Sequence, residues 1–208
     1  MLGDCSASGD RAIRLQMASP RRIAGPNAKN RAVLLDAAER VMLEEGYAAV
    51  SSRRVAAEAG LKPQLVHYYF RTMDDLFLEV FRRRADENLA HFERTVATDN
   101  SLRTLWRLNA DPRGAAFMTE FVALANHRKS IRTEIARYAE RSRAVQLVAL
   151  TAALQANGIA PDQVPPIAAL LLMTGLAQVL SLERVLGVTA GHDATVSFVQ
   201  SVLDRLEQ

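Results

Sequence analysis

The chain has 208 residues, of which 49% are hydrophobic and 24% charged, and its formal net charge at pH 7 is +3. This length suits either one domain or a small head joined to a larger body, and the apolar content is enough to bury a sizeable core. The single cysteine, Cys5, excludes a disulfide framework, and the four histidines are too scattered to form a metal site. We therefore expect neither a metal nor another cofactor.

Membrane targeting is not predicted. No positively charged start leads into an apolar run, so no signal peptide is expected. The longest apolar stretch, residues 167–182, is shorter than the ~20 residues that span a bilayer, and it contains Gln178. A cytoplasmic protein without membrane contact is expected, and either Met1 or Met17 can be its start.

Positive charge is concentrated before the first predicted helix. Residues 1–84 carry 14 Lys and Arg against 10 Asp and Glu, whereas residues 85–208 carry 12 against 13. Residues 1–28 are rich in Gly, Ser, Pro and Arg and lack helical periodicity, so we predict a disordered basic arm. The arm and Arg31 suit contact with DNA phosphates or the minor groove. The alternative is a soluble tail without a role.

Residues 30–70 show the pattern of three helices. The first, residues 30–45, has a strongly periodic apolar face. The second begins after Ser51, whose hydroxyl is a suitable N-cap, and ends at Gly60, where a tight turn favours positive φ. The third ends near Phe70. Two short helices joined by a glycine-containing turn form a helix-turn-helix, whose second helix enters the major groove of DNA.

A fourth helix follows the helix-turn-helix. Thr72 and Asp75 have the spacing of a capping box, with Asp in place of the usual Glu. Apolar residues at helical spacing then continue to about residue 98, which predicts a long connector helix.

This order of segments resembles the TetR family of bacterial transcriptional regulators: a helix ending in EEGY, then SSRRVAAEAGLKPQLVHYYF, then a capped helix beginning DDLFLEVF. The resemblance covers residues 31–81. It implies an all-α homodimer whose two heads read a palindromic operator, with a C-terminal domain that binds a small molecule and thereby usually relieves repression. A helix-turn-helix domain is expected at residues 29–75, and a ligand-binding and dimerisation domain at residues 76–208.

The outward side chains of the helix-turn-helix are the candidate DNA contacts. Those that can offer hydrogen bonds or charge to phosphates are Ser51, Ser52, Arg53, Lys62, Tyr68 and Arg71. Base readout is assigned to Gln64, Leu65 and His67, because Gln pairs with adenine, Leu packs on a thymine methyl and His donates to guanine. The alternative for His67 and Tyr68 is that they only cover the surface of the head.

The chain departs from the family pattern in the recognition segment. Met73 stands where the family usually carries a lysine that reaches a phosphate, and Arg71 is the candidate to replace that contact. Residues 62–65 (KPQL) occupy the start of the recognition helix, where Ser, Thr or Gly is usual, and His67 replaces a usual Tyr. The operator sequence therefore cannot be inferred from a relative.

The remainder of the chain is predicted to be helical, without strand alternation. A helix is broken at residues 111–114 (DPRG), and another covers residues 115–129. Ser130 is expected to cap a long helix that ends at Asn157 and carries Val148 on its apolar face.

Two further helices are predicted at about residues 167–186 and 193–206. The first is apolar nearly all round, so it must be covered on more than one side. In the TetR family the last two helices pair with their mates in a four-helix bundle, and homodimerisation through these helices is expected. The alternative is burial of both within one subunit.

The helical body is the candidate ligand-binding region, because a helix bundle can enclose an apolar cavity with a few polar groups. The residues assigned to line it are Trp106, Phe117, Glu120, Phe121, Leu124, His127, Tyr138 and Met173. A small apolar or amphipathic effector should favour a conformation with wrongly spaced heads, acting through the connector helix. The alternative for each residue is an ordinary core or surface position.

Two other classes of protein stay open. An all-α enzyme has little support, because the sequence holds no Gly-rich phosphate loop, nucleophile elbow or metal pattern, and no catalytic residue is assigned. An architectural DNA-binding protein would use the same head without an effector, and a core without a cavity would favour it.

Overall fold

The computed structural model describes residues 26–207, and this part of the chain is all-α, as predicted. Its helices in chain order are α1 (Pro26–Glu45), α2 (Ser52–Ala59), α3 (Pro63–Tyr69), α4 (Met73–Thr98), α5 (Leu102–Asn109), α6 (Pro112–Ala125), α7 (Lys129–Ala156), α8 (Pro166–Val185) and α9 (His192–Leu206). A short 3-10 helix, Tyr47–Ala49, lies between α1 and α2. Helices α1–α3 form the head, α5–α9 form the body, and α4 joins them.

Helix α1 begins earlier than the sequence indicates. It starts at Pro26, so residues 26–28, which were assigned to the disordered arm, are helical. The rest of the predicted arm, residues 1–25, lies outside the described residues. Helix α1 ends at Glu45, and Gly46 follows with a φ of 84°, a conformation that glycine adopts without strain.

The head and the body share one hydrophobic core. It contains Val66 of α3 and Phe81 of α4, each 1% exposed, and it continues into Phe121 of α6. The ring centroid of Phe81 lies 5.0 Å from that of Phe121 and 5.7 Å from that of Tyr138. The domain boundary expected after residue 75 therefore runs through a continuous core.

A second core holds the far end of the body together, where α5, α7, α8 and α9 pack around the end of α4. Its buried members are Phe92, Leu102, Leu105, Ala149, Leu150, Ala153, Leu154, Leu170 and Leu203. Helix α7 ends as predicted at Asn157, and Gly158 follows with a φ of 71°.

The position of α6 differs from the prediction. Pro112 already begins the helix, because the carboxylate of Asp111 caps it by accepting the N–H groups of Arg113 and Gly114 at 3.3 and 3.1 Å. The DPRG segment thus separates two helices but belongs to the second. Helix α6 ends at Ala125 rather than at residue 129.

Two predictions for α7 are also corrected. Ser130 lies inside the first turn and is not the cap, because the helix starts at Lys129 and its N-cap residue, Arg128, makes no side-chain capping bond. Val148 is 73% exposed. It faces away from the core because the buried stripe on this part of α7 runs through Ala149 and Ala153.

Helix α8 exposes much of its apolar surface. Large exposed hydrophobic residues on or between α8 and α9 are Ile167, Leu171, Leu172, Val179, Leu182, Val185, Leu186, Val188 and Phe198. Among the described residues, α8 is the one helix whose length of 20 residues and composition would allow it to cross a membrane, so the sequence-based length argument was too narrow. Only 22% of its most apolar window is buried, although core helices of soluble proteins meet the same criterion.

Candidate nucleic-acid interface and effector cavity

The helix-turn-helix is built from local capping chemistry, as predicted. The Ser51 hydroxyl oxygen accepts the N–H of Arg54 at 3.2 Å and so caps α2. Gly60 ends α2 in the left-handed conformation with a φ of 65°, and the N–H of Leu61 donates to the Ala56 carbonyl at 2.9 Å. Pro63 occupies the first turn of α3, where a missing N–H costs nothing.

The outward face of α3 presents polar side chains to solvent. Lys62, Gln64 and His67 are exposed, and within residues 26–207 their side chains have no hydrogen bond or ion pair. Tyr68 is 68% exposed, and its ring meets that of Tyr69 edge-on at 5.0 Å. Because nothing else in the described part of the head engages these polar groups, they are available to a partner.

Leu65 does not lie fully on this outward face. It is half-buried and packs against the core of the head. It is one residue before the buried Val66, so it lies at the edge of the inward stripe of a helix with about 100° between successive residues. Only the exposed part of the Leu65 side chain is therefore available for the base contact that the sequence analysis assigned to it.

The expected phosphate contacts surround α3. Arg53 and Arg71 are exposed, and neither has an ion pair within residues 26–207. Ser51 is exposed and caps α2 as an acceptor, which leaves its hydroxyl hydrogen free to donate, whereas Ser52 is half-buried. Met73 packs against the core of the head, so Arg71 is the nearest cation before α4.

Arg31 is engaged inside the protein. Its guanidinium forms an ion pair with Glu79 of α4 and lies 5.7 Å from the centroid of the Phe70 ring. These contacts tie α1 to the start of the connector. The assigned DNA contact of Arg31 thus competes with an intramolecular role.

An ion-pair cluster that the sequence did not indicate joins α1 to α2. Arg54 donates from Nε to Glu45 at 2.9 Å and from Nη1 to Glu58 at 3.1 Å, and Arg40 also donates to Glu58 at 3.1 Å. The hydrogen bonds from Arg40 and Arg54 lower the pKa of Glu58, and the bond to Glu45 is the main cause that raises the pKa of Arg54. The cluster explains why Arg53, and not its neighbour, faces outward.

A cavity of about 500 Å³ lies between α5, α6, α7 and α8. Its apolar lining includes Leu108, Ala115, Met118, Val122, Ile135, Tyr138 and Leu170, and its polar lining includes Thr119, Ser142, Arg143, Gln146, Thr174 and Gln178. Gln146 donates from Nε2 to the Ser142 hydroxyl at 2.8 Å, while its Oε1 is buried and has no hydrogen-bond partner in the described part of the chain. An apolar space with a few polar groups is the usual character of a small-molecule site.

A second, smaller cavity of about 290 Å³ opens among α5, α7, α8 and α9 and is almost wholly apolar. Trp106 and Met173 line it, together with Leu172 and Phe198 from the exposed surface. It therefore borders the apolar face of α8 and α9. Within residues 26–207 no group of three or more His, Cys, Asp or Glu could hold a metal ion.

Comparisons with known proteins agree with this architecture. A family model described as bacterial regulatory proteins, tetR family, matches residues 34–80, which run from α1 into α4. The chain is 29% identical over 142 residues to the HTH-type transcriptional regulator BetI of Rhizobium meliloti (strain 1021), and the alignment covers 64% of this chain and 70% of that protein. Residues 34–80 therefore form a DNA-binding domain of the tetR family of bacterial regulatory proteins. The chain that carries this domain is a DNA-binding transcriptional regulator.

Solved structures extend the likeness of this regulator to the fold of the body. A putative TetR-family regulator from Rhodococcus sp. matches with a TM-score of 0.68 at 21% identity, covering 86% of this chain and all (100%) of that chain. A putative transcriptional regulator from Saccharomonospora viridis, in complex with choline, matches with a TM-score of 0.68 at 20% identity, covering 77% and 87%.

In this regulator only some of the predicted ligand contacts reach a cavity. Tyr138 lines the larger cavity, and Trp106 and Met173 line the smaller one. The assignments of Phe117, Phe121, Leu124, Glu120 and His127 are corrected. The first three are buried in the core shared with the head, Glu120 accepts the backbone N–H of Tyr47, and His127 is exposed in the turn after α6.

The polar lining of the larger cavity was missed by sequence reasoning. Ser142, Gln146 and Thr174 are the side chains that give this cavity its hydrogen-bonding groups. Ser142 and Gln146 lie one turn apart in α7, and a polar pair at i and i+4 within an apolar stripe is a signal that could have located the site.

Proposed function

We propose that this regulator is a homodimeric repressor that binds a palindromic operator through α3 and is released when a small molecule fills the larger cavity. The observation that carries the proposal is the outward face of α3, where Lys62, Gln64 and His67 are exposed and have no hydrogen bond or ion pair with any residue between 26 and 207. Such a protein acts in the cytoplasm, where its operator is.

Dimerisation is supported by the apolar face of α8 and α9. Leu172 and Phe198 are 74% and 65% exposed, and seven further large hydrophobic residues on these helices or between them are also exposed. An exposed apolar face of this kind marks a protein interface more often than a free surface. A second copy is the natural partner, because one helix-turn-helix reads only a half-site and a dimer reads two. This reading is preferred to membrane insertion of α8.

An effector is supported by the size and lining of the larger cavity. Its volume of about 500 Å³ falls in the range of small-molecule sites, and its lining combines apolar and hydrogen-bonding groups. A small amphipathic molecule fits this lining. The choline bound by the Saccharomonospora viridis regulator is a poorer guide here, because cages for quaternary ammonium groups use several aromatic rings and Tyr138 is the one aromatic residue lining this cavity.

Selection of bound sequences from a random pool of DNA duplexes at near-physiological salt tests the DNA-binding part. The expected result is an inverted repeat with half-sites separated by about one helical turn, ~34 Å, or a multiple of it. Absence of any preference over random competitor DNA would refute sequence-specific binding, and a single unrepeated half-site would refute the symmetric dimer.

Two variants separate base reading from phosphate contact on the selected duplex. Gln64→Ala should cost ~1–3 kcal/mol and relax the preference at one base position, because a bidentate base contact is lost. Arg53→Ala should weaken binding to all duplexes alike and reduce the slope of affinity against salt by about 1. Equal losses for Gln64→Ala on the selected and on base-substituted duplexes would show that Gln64 does not read a base.

A further inference from the structure

We infer that Glu120 of α6 is the positioning residue that couples the effector cavity to the helix-turn-helix. This inference rests on the proposed function, since it presupposes an effector in the larger cavity and DNA on α3. Its starting point is one hydrogen bond. Glu120 Oε2 accepts the backbone N–H of Tyr47 at 2.7 Å, across 73 positions of the chain.

Helix α6 contacts both the larger cavity and the core shared with the head. Ala115, Met118 and Val122 line the larger cavity, whereas Phe117 and Phe121 are buried in the core shared with the head. Because successive helical residues are about 100° apart, the two sets lie roughly a third of a turn apart around α6, and Glu120 lies nearly opposite the cavity-lining set. A molecule that displaces the first set therefore moves the second, and Glu120 with it.

The bond to Tyr47 reaches the backbone just before the DNA-reading motif. Tyr47 opens the short 3-10 helix, so its N–H has no carbonyl acceptor of its own, and Glu120 supplies one. Gly46 lies close to the same carboxylate, because a Cβ built on it would come within 3.7 Å of Glu120 Oε2. Ser51, the cap of α2, follows four residues after Tyr47. The bond is partly buried and joins a charged acceptor to its donor, which makes it stronger than a neutral surface bond.

A second link leaves the turn between α6 and α7 and reaches the segment that follows α3. Arg128 forms an ion pair with Asp74 in the first turn of α4, and its guanidinium lies 5.4 Å from the centroid of the Phe77 ring. Both partners of that pair are more than a third exposed, so solvent screens it more strongly than the Glu120 bond. Helix α6 and the turn that follows it thus contact the segments before α2 and after α3, and the Glu120 bond is the less screened of the two contacts.

The coupling is a population shift. A ligand that prefers a displaced α6 must also prefer the head orientation that α6 carries through Glu120 and Tyr47, and operator affinity falls by the same coupling. The sequence favours the connector helix as the element that transmits the change, and the route through α6 is proposed beside it.

The test uses a covalent probe in place of the unidentified effector. In a Cys5→Ser background, Met118→Cys places the single thiol in the cavity lining, and benzyl methanethiosulfonate attaches a benzylthio group that dithiothreitol removes. The first measurement is amide hydrogen exchange of residues 46–51 without DNA. The probe should speed exchange at Tyr47 about tenfold, within the usual range of allosteric couplings. No change at Tyr47 would overturn the inference, whatever the protein does with DNA.

The second measurement is the ratio of operator affinities without and with the probe. In the Glu120 protein the probe should weaken binding about tenfold, and in Glu120→Gln the ratio should fall below about threefold. A merely structural Glu120 would lower stability but leave this ratio unchanged, and an unchanged ratio would overturn the coupling role. Glu134→Gln makes the same chemical change at an ion-paired residue of α7 and should keep the full ratio.

Two controls keep the outcomes separate. If Met118→Cys does not fold, Val122→Cys offers a more exposed position in the same lining. If the unlabelled protein prefers no duplex at all, the proposed function fails while the exchange measurement still decides whether the cavity and Tyr47 are coupled.

Discussion

The head buries its large apolar side chains, whereas the α8–α9 pair leaves many of its own exposed. In the head, Val55, Val66 and Phe70 are at most 1% exposed, and the shared core closes around them. In α8 and α9, residues as large as Leu172 and Phe198 stay mostly exposed. The head is therefore complete as a folded unit once it has its contacts with α4 and α6, whereas the last two helices leave exposed the apolar surface through which dimerisation is proposed.

The largest expected effect comes from opening the core of the head. Phe70→Ala should lower the free energy of unfolding by ~3–5 kcal/mol, because it leaves a large cavity in a fully buried site. Tyr68→Ala, two residues earlier in the same segment, removes an exposed ring and should stay within ~0.5 kcal/mol. Urea unfolding at fixed protein concentration measures both. Similar losses for the two variants would contradict the contrast between the faces of α3.

The second effect tests the other side of the comparison. Leu172→Ser should leave each subunit folded but raise the dissociation constant of the dimer about tenfold or more, since burial of a leucine contributes ~1.5–3 kcal/mol. Sedimentation equilibrium over a range of concentrations measures it. The matched control is Leu43→Ser, which changes an exposed leucine of α1. A dimer equally stable in both variants would move the interface away from α8.

A smaller effect concerns the turn of the DNA-reading motif. Gly60→Ala should destabilise the head by ~1–2 kcal/mol, because a Cβ strains the left-handed conformation even though no atom of residues 26–207 lies within 4 Å to clash with it. Gly60→Asn should cost less, since Asn tolerates that conformation better. Thermal unfolding of both variants gives the order, and an equal cost would point to a role of the glycine other than its φ.

The smallest effect is a dependence of stability on pH. The hydrogen bond from Arg82 lowers the pKa of Glu134 below its ordinary value of 4.5 in the folded protein. A lowered folded pKa stabilises the fold at neutral pH, and this contribution is lost as the pH falls below about 4.5. Because Arg82 is half-exposed, Glu134→Gln should lower the free energy of unfolding by only ~0.5 kcal/mol at pH 7. The fall of that free energy at acid pH should also become shallower in the variant. Urea unfolding of both proteins at pH 7 and pH 4 measures this difference. A larger loss of unfolding free energy between pH 7 and pH 4 in Glu134→Gln than in the unchanged protein would contradict the prediction.

The parts of the fold that depend on neighbouring residues could be predicted from the sequence. Ser51 and Thr72 act as caps and Gly60 ends α2, because each satisfies backbone groups within four residues of itself. The outward face of α3 followed from the same short-range geometry, except for Leu65 at its edge. The conformation of these residues depends on neighbours within a few positions, so the sequence alone predicts it.

The cavity could not be predicted in the same way. Its lining depends on which face of α6 points toward the head, and that is decided by packing against α1 and α4, far away in the chain. Helix α6 also ends at Ala125 and not at residue 129, so His127 lies in the turn after the helix and not on it. Apolar residues on both faces of α6 look alike in the sequence, so Phe117 and Phe121 were assigned to the wrong side.

The continuous core between head and body has a consequence for engineering. A chimera that transplants residues 26–75 onto an unrelated effector domain would leave Val66 and Phe70 without the α4 and α6 side chains that complete their packing. A head that is exchanged between regulators therefore has to bring its own α6 with it. That helix also supplies Glu120, which accepts the backbone N–H of Tyr47.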